Sequence, residues 1–216
     1  MIKTIRASKS EKILFIFLIC LSIFAFTSFF LLKNKCLFVE KNNLSNLYFN
    51  EPNNIAVMNV ECGNVIIELY PDISPKTVER FKFLIEKKMY DGSTFYKVSE
   101  NTFVQAGDIE YGNINNLDYS KIGSGKSGLG LLKSELNKDF KFTEGSVGFA
   151  RTTEFDTEDS EFFITLKEIP IYQGEYTPVG RVVYGLDILT KIKTGNKAIY
   201  VLRPDYIKTF KLLSSN

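Results

Sequence analysis

Residues 55–90 read "IAVMNVECGNVIIELYPDISPKTVERFKFLIEKKMY" and combine two patterns that indicate how the fold begins. The first half holds two β-branched runs on either side of a turn at residues 62–64, which is typical of a β-hairpin. In the second half Ser74 can cap a helix, and Pro75 suits the first helical position. The apolar positions of one helix face follow at Val78, Phe81, Ile85 and Met89. We therefore expect a hairpin followed by an amphipathic helix.

Short β-like runs separated by glycine-rich loops make up most of the sequence after this helix. They read "STFYKV", "TFVQAG", "GSVGFAR", "EFFITL" and "TPVGRVV", and the last run is "DYIKTFKLL". A second helix pattern lies at residues 184–195, with Leu186, Leu189 and Ile192 on one side. Many short strands with two helices predict a mainly β fold that closes into a barrel, because closure removes exposed strand edges.

The composition excludes several kinds of chemistry. The sequence has no histidine, which excludes Ser-His-Asp and Cys-His catalysis and histidine-ligated zinc. The formal net charge of +2 offers no basic excess for binding nucleic acid. The three cysteines, Cys20, Cys36 and Cys62, form no Cys-x-x-Cys pair. We therefore expect no metal site and no cofactor, and we interpret Cys62 as a small turn or core residue.

The N-terminal part differs from the rest in composition. Residues 13–32 read "ILFIFLICLSIFAFTSFFLL", without a charge, a proline or a glycine. As a helix this stretch is about 30 Å long, which matches the hydrocarbon core of a bilayer. The pattern predicts a basic head at residues 1–12, a transmembrane anchor at 13–32, a linker at 33–54 and a globular domain at 55–216.

A short glycine-rich stretch, "KIGSGKSG" at residues 121–128, has the Gly-Lys-Ser ending of a phosphate-binding loop. The complete motif needs another glycine five positions before Gly125, where this sequence has Ser120. A strand before the loop and a helix after it are also missing. We interpret the stretch as a flexible surface loop.

Six segments of the globular part, taken in order, resemble the cyclophilin family of peptidyl-prolyl isomerases. They are "GNVIIELYPDISPKTVERF", "YDGSTFYKV", "VQAGD", "GSVGFAR", "SEFFITL" and "YTPVGRVVYGLDIL". The resemblance covers roughly residues 55–213. The six segments together, in this order, are specific to the family. The resemblance implies a closed eight-stranded antiparallel β-barrel with a helix at each end. It also implies a groove for proline-containing polypeptides on the outer face of the barrel.

The resemblance also implies which residues form the site. Lys97 stands where the family has its main catalytic arginine, and Gln105 matches a glutamine that helps to hold the substrate backbone. These two are the expected catalytic residues. The expected substrate-binding residues are Phe95, Thr102, Phe103, Phe149, Ala150, Arg151, Phe163, Tyr172 and Tyr176.

Isomerisation of an X-Pro bond needs neither a nucleophile nor a metal. Resonance gives the peptide bond a rotational barrier of about 18–20 kcal/mol. An apolar pocket for the proline ring and a donor near the proline nitrogen lower this barrier if they stabilise charge in the transition state. We expect an isomerase that assists the folding of exported or membrane-proximal proteins.

Several residues of the expected groove depart from the family pattern. Lys97 offers a compact, strongly hydrated charge instead of the planar fork of an arginine. Glu161 replaces a usual glutamine, and Ile171 replaces a usual tryptophan. These changes leave an alternative function open, a catalytically weak or inactive module that binds proline segments and is tethered to the membrane.

The localisation follows from the N-terminal segment. Asparagine, lysine and isoleucine are abundant, as in AT-rich bacterial genomes, and the basic head favours a cytoplasmic N-terminus. We expect a single-pass protein of a bacterial inner membrane whose domain faces the periplasm. The alternative is a cleaved signal peptide and a soluble periplasmic protein, although the apolar stretch is longer than the usual ~7–15 residues.

Overall fold

The computed structural model describes residues 8–33, 35–37, 39, 47–195 and 200–213. The chain forms two compact units, residues 1–38 and 39–216. The predicted head and the predicted linker therefore lie partly outside the described residues.

The first unit contains helix α1, Lys9–Lys33, which includes the predicted anchor. Its segment Lys9–Leu31 is long and apolar enough to cross a membrane, and none of it is buried. A signal sequence near an N-terminus meets the same criterion, so the helix is a candidate span by length and composition only.

The second unit consists mainly of short strands. These are β1 Ile55–Val60, β2 Gly63–Leu69, β3 Lys97–Ser99, β4 Phe103–Ala106, β5 Ser146–Phe149, β6 Phe162–Thr165, β7 Pro178–Tyr184 and β8 Thr209–Leu212. Its helices are α2, Pro75–Glu86, and α3, Leu186–Leu189, with 3₁₀ turns at Pro52–Asn54 and Pro170–Tyr172. The second helix is thus much shorter than the pattern at residues 184–195 predicts, and a turn follows it.

The strands form one antiparallel sheet in the order β3-β4-β6-β5-β7-β2-β1-β8. The predicted hairpin is confirmed, since β1 pairs with β2 from Ile55 opposite Glu68 to Val60 opposite Gly63. Eight antiparallel strands agree with the expected architecture. Among the described strands, however, β3 and β8 end the sheet without pairing with each other, so closure of the barrel stays a prediction.

Helix α2 packs its apolar face on the sheet. Phe81 lies at the centre of an aromatic cluster, with ring centroids 5.2 to 5.8 Å from those of Tyr90, Phe149, Phe162 and Phe210. Ser74 is the N-cap residue, but its hydroxyl donates to the carbonyl of Pro178 instead of capping the helix. The carboxylate of Glu135 accepts the first helical N–H groups.

Cys62 lies buried in the turn between β1 and β2, in agreement with a small turn or core residue. It is also disulfide-bonded, as is Cys36, whereas Cys20 is free. The spacing of the cysteines did not predict these bonds, because bonding depends on how close two cysteines come in the fold.

Candidate active site

Three predicted site residues lie in a row across neighbouring strands. Lys97 on β3 is directly opposite Gln105 on β4, and Gln105 is directly opposite Phe163 on β6. Residues that are opposite in a pleated sheet project from the same face. Val98 and Val104, which adjoin Lys97 and Gln105 along the strands, are buried in the core. The row therefore projects from the outer face. The register of the sheet thus brings both expected catalytic residues together.

Gly148 on β5 continues this row, since it is directly opposite Phe163. A Cβ atom at Gly148 would lie 2.5 Å from Cζ of Phe163 and 2.8 Å from Cε1 of Phe142. The two rings lie 5.7 Å apart, centroid to centroid. The absence of a side chain at Gly148 therefore lets both rings approach strand β5 closely.

Two tyrosines cover the ring of Phe163. The centroid of Phe163 is 5.3 Å from that of Tyr172 and 5.1 Å from that of Tyr176. The two tyrosine rings are 4.6 Å apart, and Phe163 is only 3 % exposed. The accessible apolar surface at this end of the row is therefore formed by tyrosine rings.

Phe103 and Thr102 lie at the other side of the row, beside Lys97. Phe103 precedes Gln105 by two residues on β4, so both project from the outer face. The ammonium nitrogen of Lys97 is 5.9 Å from the centroid of the Phe103 ring, a distance at which cation–π attraction acts. Thr102 lies in the preceding turn, where its hydroxyl donates to the carbonyl of Glu100 at 3.1 Å. Both residues are half-buried.

Phe95 and Phe149 do not lie in the groove, contrary to the expectation. Both side chains are 0 % exposed. Phe149 follows Gly148 on β5, so the alternation of the strand points it into the core, where it packs on Phe81. Both residues stabilise the core beneath the site, and we do not include them in the peptide-binding surface.

A cavity of about 120 Å³ lies beside the row, and Lys97, Gln105, Ala150 and Arg151 contribute to its lining. The other lining residues include Tyr96, Gly123, Gly125, Lys126, Glu161 and Tyr200. The glycine-rich stretch at 121–128 thus forms one wall. It is anchored by Asp108, whose carboxylate accepts the N–H groups of Gly123 at 2.6 Å and Gly125 at 3.2 Å.

A hydrogen-bonded network lies at the inner end of this cavity. The amide nitrogen Nε2 of Gln105 donates to the hydroxyl of Tyr96 and to Oε2 of Glu161, each at 2.7 Å. The Tyr96 hydroxyl also donates to Oε2 of Glu161. Burial raises the pKa of the Glu161 carboxyl, while the hydrogen bonds from Tyr96 and Gln105 oppose this rise. Burial and the nearby Glu161 charge raise the pKa of Tyr96, which keeps its hydroxyl protonated as a donor.

Arg151 and Lys97, two of the cations that line the cavity, differ in how they are held. The guanidinium of Arg151 lies over the rings of Phe155 and Tyr176, 4.1 and 5.0 Å from their centroids. It also pairs with the carboxylate of Glu175 at 3.3 Å. By contrast, no residue that the structure describes forms a hydrogen bond or an ion pair with the ammonium group of Lys97. The ammonium group of Lys97 is therefore available to a ligand.

Comparison with known proteins identifies the family. Residues 55–211 match the family described as "Cyclophilin type peptidyl-prolyl cis-trans isomerase/CLD". The chain belongs to this family. It is 36 % identical over 149 residues to a "Probable peptidyl-prolyl cis-trans isomerase" of Brucella suis, which covers 68 % of this chain and 76 % of that protein. It is 30 % identical over 134 residues to an isomerase of Schizosaccharomyces pombe, covering 60 % of this chain and 79 % of that protein.

Solved cyclophilin structures share the fold. A cyclophilin of Cryptosporidium parvum, crystallised in the presence of the dipeptide Ala-Pro, has a TM-score of 0.63 and 22 % identity, covering 73 % of this chain and 98 % of that chain. A cyclophilin of Hirschia baltica has a TM-score of 0.64 and 20 % identity, covering 76 % of each chain. At these identities the likeness is one of fold.

Sequence reasoning missed part of the lining of this cyclophilin cavity. Tyr96 and Tyr200 were not predicted as site residues, whereas Glu161 was expected in the groove as a departure from the family pattern but was given no role. The signal for Glu161 was that it replaces the usual family glutamine immediately before Phe162 and Phe163. Tyr200 gave no such signal, because its ring reaches the site by stacking on Tyr96, with centroids 6.1 Å apart.

Proposed function

We propose that this cyclophilin is a membrane-tethered peptidyl-prolyl isomerase in which Lys97 is the catalytic cation. The observation that carries the proposal is the row of Lys97, Gln105 and Phe163 on the outer face of the sheet. The proposed ligands are proline-containing polypeptides. The Ala-Pro dipeptide present with the Cryptosporidium cyclophilin supports this ligand class.

Lys97 acts on the nitrogen of the bond that rotates. As the X-Pro bond twists out of resonance, the proline nitrogen gains a lone pair that the planar amide does not have. A donor that meets this lone pair interacts more strongly with the transition state than with the ground state, and such an interaction lowers the barrier. The ammonium of Lys97, above the ring of Phe103, suits this role.

The proline ring binds to the aromatic surface along the row of Lys97, Gln105 and Phe163. Tyr172, Tyr176 and Phe103 supply that surface, because each of them is half-buried and Phe163 is covered. Tyrosine rings combine apolar faces with a hydroxyl, which suits a groove that is open to water.

The proposed location is the periplasmic side of a bacterial inner membrane, with helix Lys9–Leu31 as the anchor. Disulfides persist in oxidising compartments such as the periplasm, so the disulfide-bonded Cys36 and Cys62 support this side. Newly exported chains are then the proposed substrates. A C-terminal alkaline phosphatase fusion tests the location: we expect phosphatase activity, and a silent reporter would overturn the assignment.

A binding module without catalysis is the second candidate. The covered ring of Phe163 and the replacement of a guanidinium by the ammonium of Lys97 favour it. In this case proline peptides bind but their isomers exchange at the uncatalysed rate.

Exchange spectroscopy by NMR on a short Ala-Pro peptide separates the two candidates. We expect the full chain in detergent micelles to accelerate exchange, and Lys97→Ala to lower the acceleration by a factor on the order of 10². Lys126→Ala is the matched control, since it removes an exposed cation from the cavity wall. Exchange at the uncatalysed rate with wild-type protein would exclude the isomerase.

A further inference from the structure

The amide nitrogen of Gln105 is held inside the protein by hydrogen bonds to Tyr96 and Glu161. A primary amide carries two N–H hydrogens and one carbonyl oxygen. Nε2 of Gln105 lies 2.7 Å from each of two acceptors, the hydroxyl of Tyr96 and Oε2 of Glu161. The hydroxyl of Tyr96 gives its own hydrogen to Glu161, so it can only accept from Gln105. The amide nitrogen of Gln105 and the hydroxyl of Tyr96 therefore both face Oε2 of Glu161.

Glu161 determines which way the amide of Gln105 faces. An ionised carboxylate only accepts hydrogen bonds, so the nitrogen of the amide must face it. Turning the amide over would place two oxygens 2.7 Å apart without a hydrogen between them. A glutamine at position 161 would not impose this direction, because its amide both donates and accepts.

The oxygen Oε1 of Gln105 is available to a ligand. It accepts no hydrogen bond from any residue in the described part of the chain, and Gln105 lines the cavity next to Lys97. The neighbouring Lys97 offers only hydrogens. The outer face therefore presents one acceptor and one donor side by side.

We propose that Glu161 is a positioning residue that makes Gln105 a hydrogen-bond acceptor, so that the groove selects peptides that donate a backbone N–H to Oε1 of Gln105. This inference rests on the proposed function for the place where the peptide binds. It makes Lys97 the donor of the row and Gln105 its acceptor. Other charged groups that contribute to the field at Glu161 are Lys97, which favours its ionised form, and Asp108, which opposes it.

Peptides in which one amide is replaced by an ester test the proposal. Such a replacement removes a single N–H and adds little bulk. The peptide Ala-Ala-Pro-Ala-Ala is titrated against the full chain in micelles, with each N–H replaced in turn, and Kd is followed by NMR. We expect one replacement to weaken binding to the wild type by roughly three- to tenfold, the effect of one hydrogen bond.

Glu161→Gln is the decisive variant. With the direction of the amide released, Gln105 can turn an N–H towards the ester oxygen, and we expect the ester penalty to fall below about twofold. Glu100→Gln is the matched control, because it removes the same charge from an exposed position next to β3. We expect it to keep the full penalty. No sensitive position in the wild type, or an equal penalty in Glu161→Gln, would overturn the proposal.

Tyr96→Phe is a second variant that keeps the proposal testable if Glu161→Gln fails to fold. It removes one acceptor of Gln105 but leaves the carboxylate that sets the direction of the amide. We expect it to keep the ester penalty, and loss of the penalty in this variant would also overturn the role of Glu161. Isomer exchange is measured on the same samples. An intact ester penalty without accelerated exchange would exclude the isomerase and leave the role of Glu161 in place.

Discussion

The ring of Tyr176 packs edge-on against the ring of Phe163, with 5.1 Å between their centroids and 79° between their planes. Phe163 was the expected contact for a proline ring, yet this packing and that of Tyr172 cover it. Tyr176 in turn lies under the guanidinium of Arg151, which is paired with Glu175. Arg151, a cation of the cavity wall, therefore holds in place the Tyr176 ring on which a proline ring can stack.

Tyr176→Ala and Phe163→Leu should separate binding from stability. We expect Tyr176→Ala to weaken the binding of an Ala-Pro peptide by about tenfold, because it removes a half-buried stacking surface. Phe163→Leu should change Kd by less than about twofold and lower the free energy of unfolding by up to about 1.5 kcal/mol, because Phe163 is buried. Peptide titration and urea unfolding measure the two effects. The reverse order of the two effects on Kd would show that peptide reaches Phe163.

Lys97→Arg should raise the isomerisation rate. A guanidinium is planar and less strongly hydrated than an ammonium, so it aims its donors better and loses less on entering the groove. We expect kcat/KM to rise several-fold with little change in peptide Kd, since the added stabilisation arises only in the transition state. Exchange spectroscopy measures both quantities, with Lys126→Arg as the control. A lower rate in Lys97→Arg would mean that the surroundings of Lys97 are shaped for an ammonium.

Glu161→Gln should stabilise the protein more at neutral pH than at acidic pH. Burial raises the pKa of Glu161 in the folded protein above its unfolded value, which is ~4.3. Between these two pKa values the folded state binds more protons than the unfolded state, so the wild type loses stability as the pH rises. Glutamine at 161 does not titrate. The difference in Tm between variant and wild type should therefore grow in favour of the variant from about pH 4 upward.

The same thermal scans on Glu100→Gln show whether the effect belongs to the buried position. This exposed residue should give a nearly constant difference in Tm. A flat difference for Glu161→Gln as well would contradict a raised pKa for Glu161.

Gly148→Ala should destabilise the domain by about 1–3 kcal/mol, the usual effect of overpacking a filled site. The added Cβ would lie 2.5 Å from Phe163 and 2.8 Å from Phe142, so the rings must move. Urea unfolding measures the loss of stability. Combining Gly148→Ala with Phe163→Leu should recover part of the loss, because the double variant relieves the closest contact. Additive losses would show that the strain lies elsewhere.

Local sequence patterns were sufficient for the elements of the fold. The β-branched runs and the turn residues of 55–70 predicted the hairpin, because strand propensity and turn chemistry are properties of neighbouring residues. Pro75 and the apolar spacing of its helix predicted α2 for the same reason. The cap could not be predicted, since the carboxylate on Thr77 belongs to Glu135, which lies 58 residues further along the chain.

The sequence by itself determined the family, the order of strands and helices, and the identity of the two residues, Lys97 and Gln105, that face each other across β3 and β4. Only the tertiary structure decided which side chains contact these two residues. Glu161 meets Gln105 across 56 residues of chain, and it meets Tyr96 across 65. Such contacts depend on strand register and on how loops return to the sheet, which no short stretch of sequence specifies. The position of β5 in the sheet likewise decides that Gly148 lies on the groove face and that Phe149, the next residue, lies in the core.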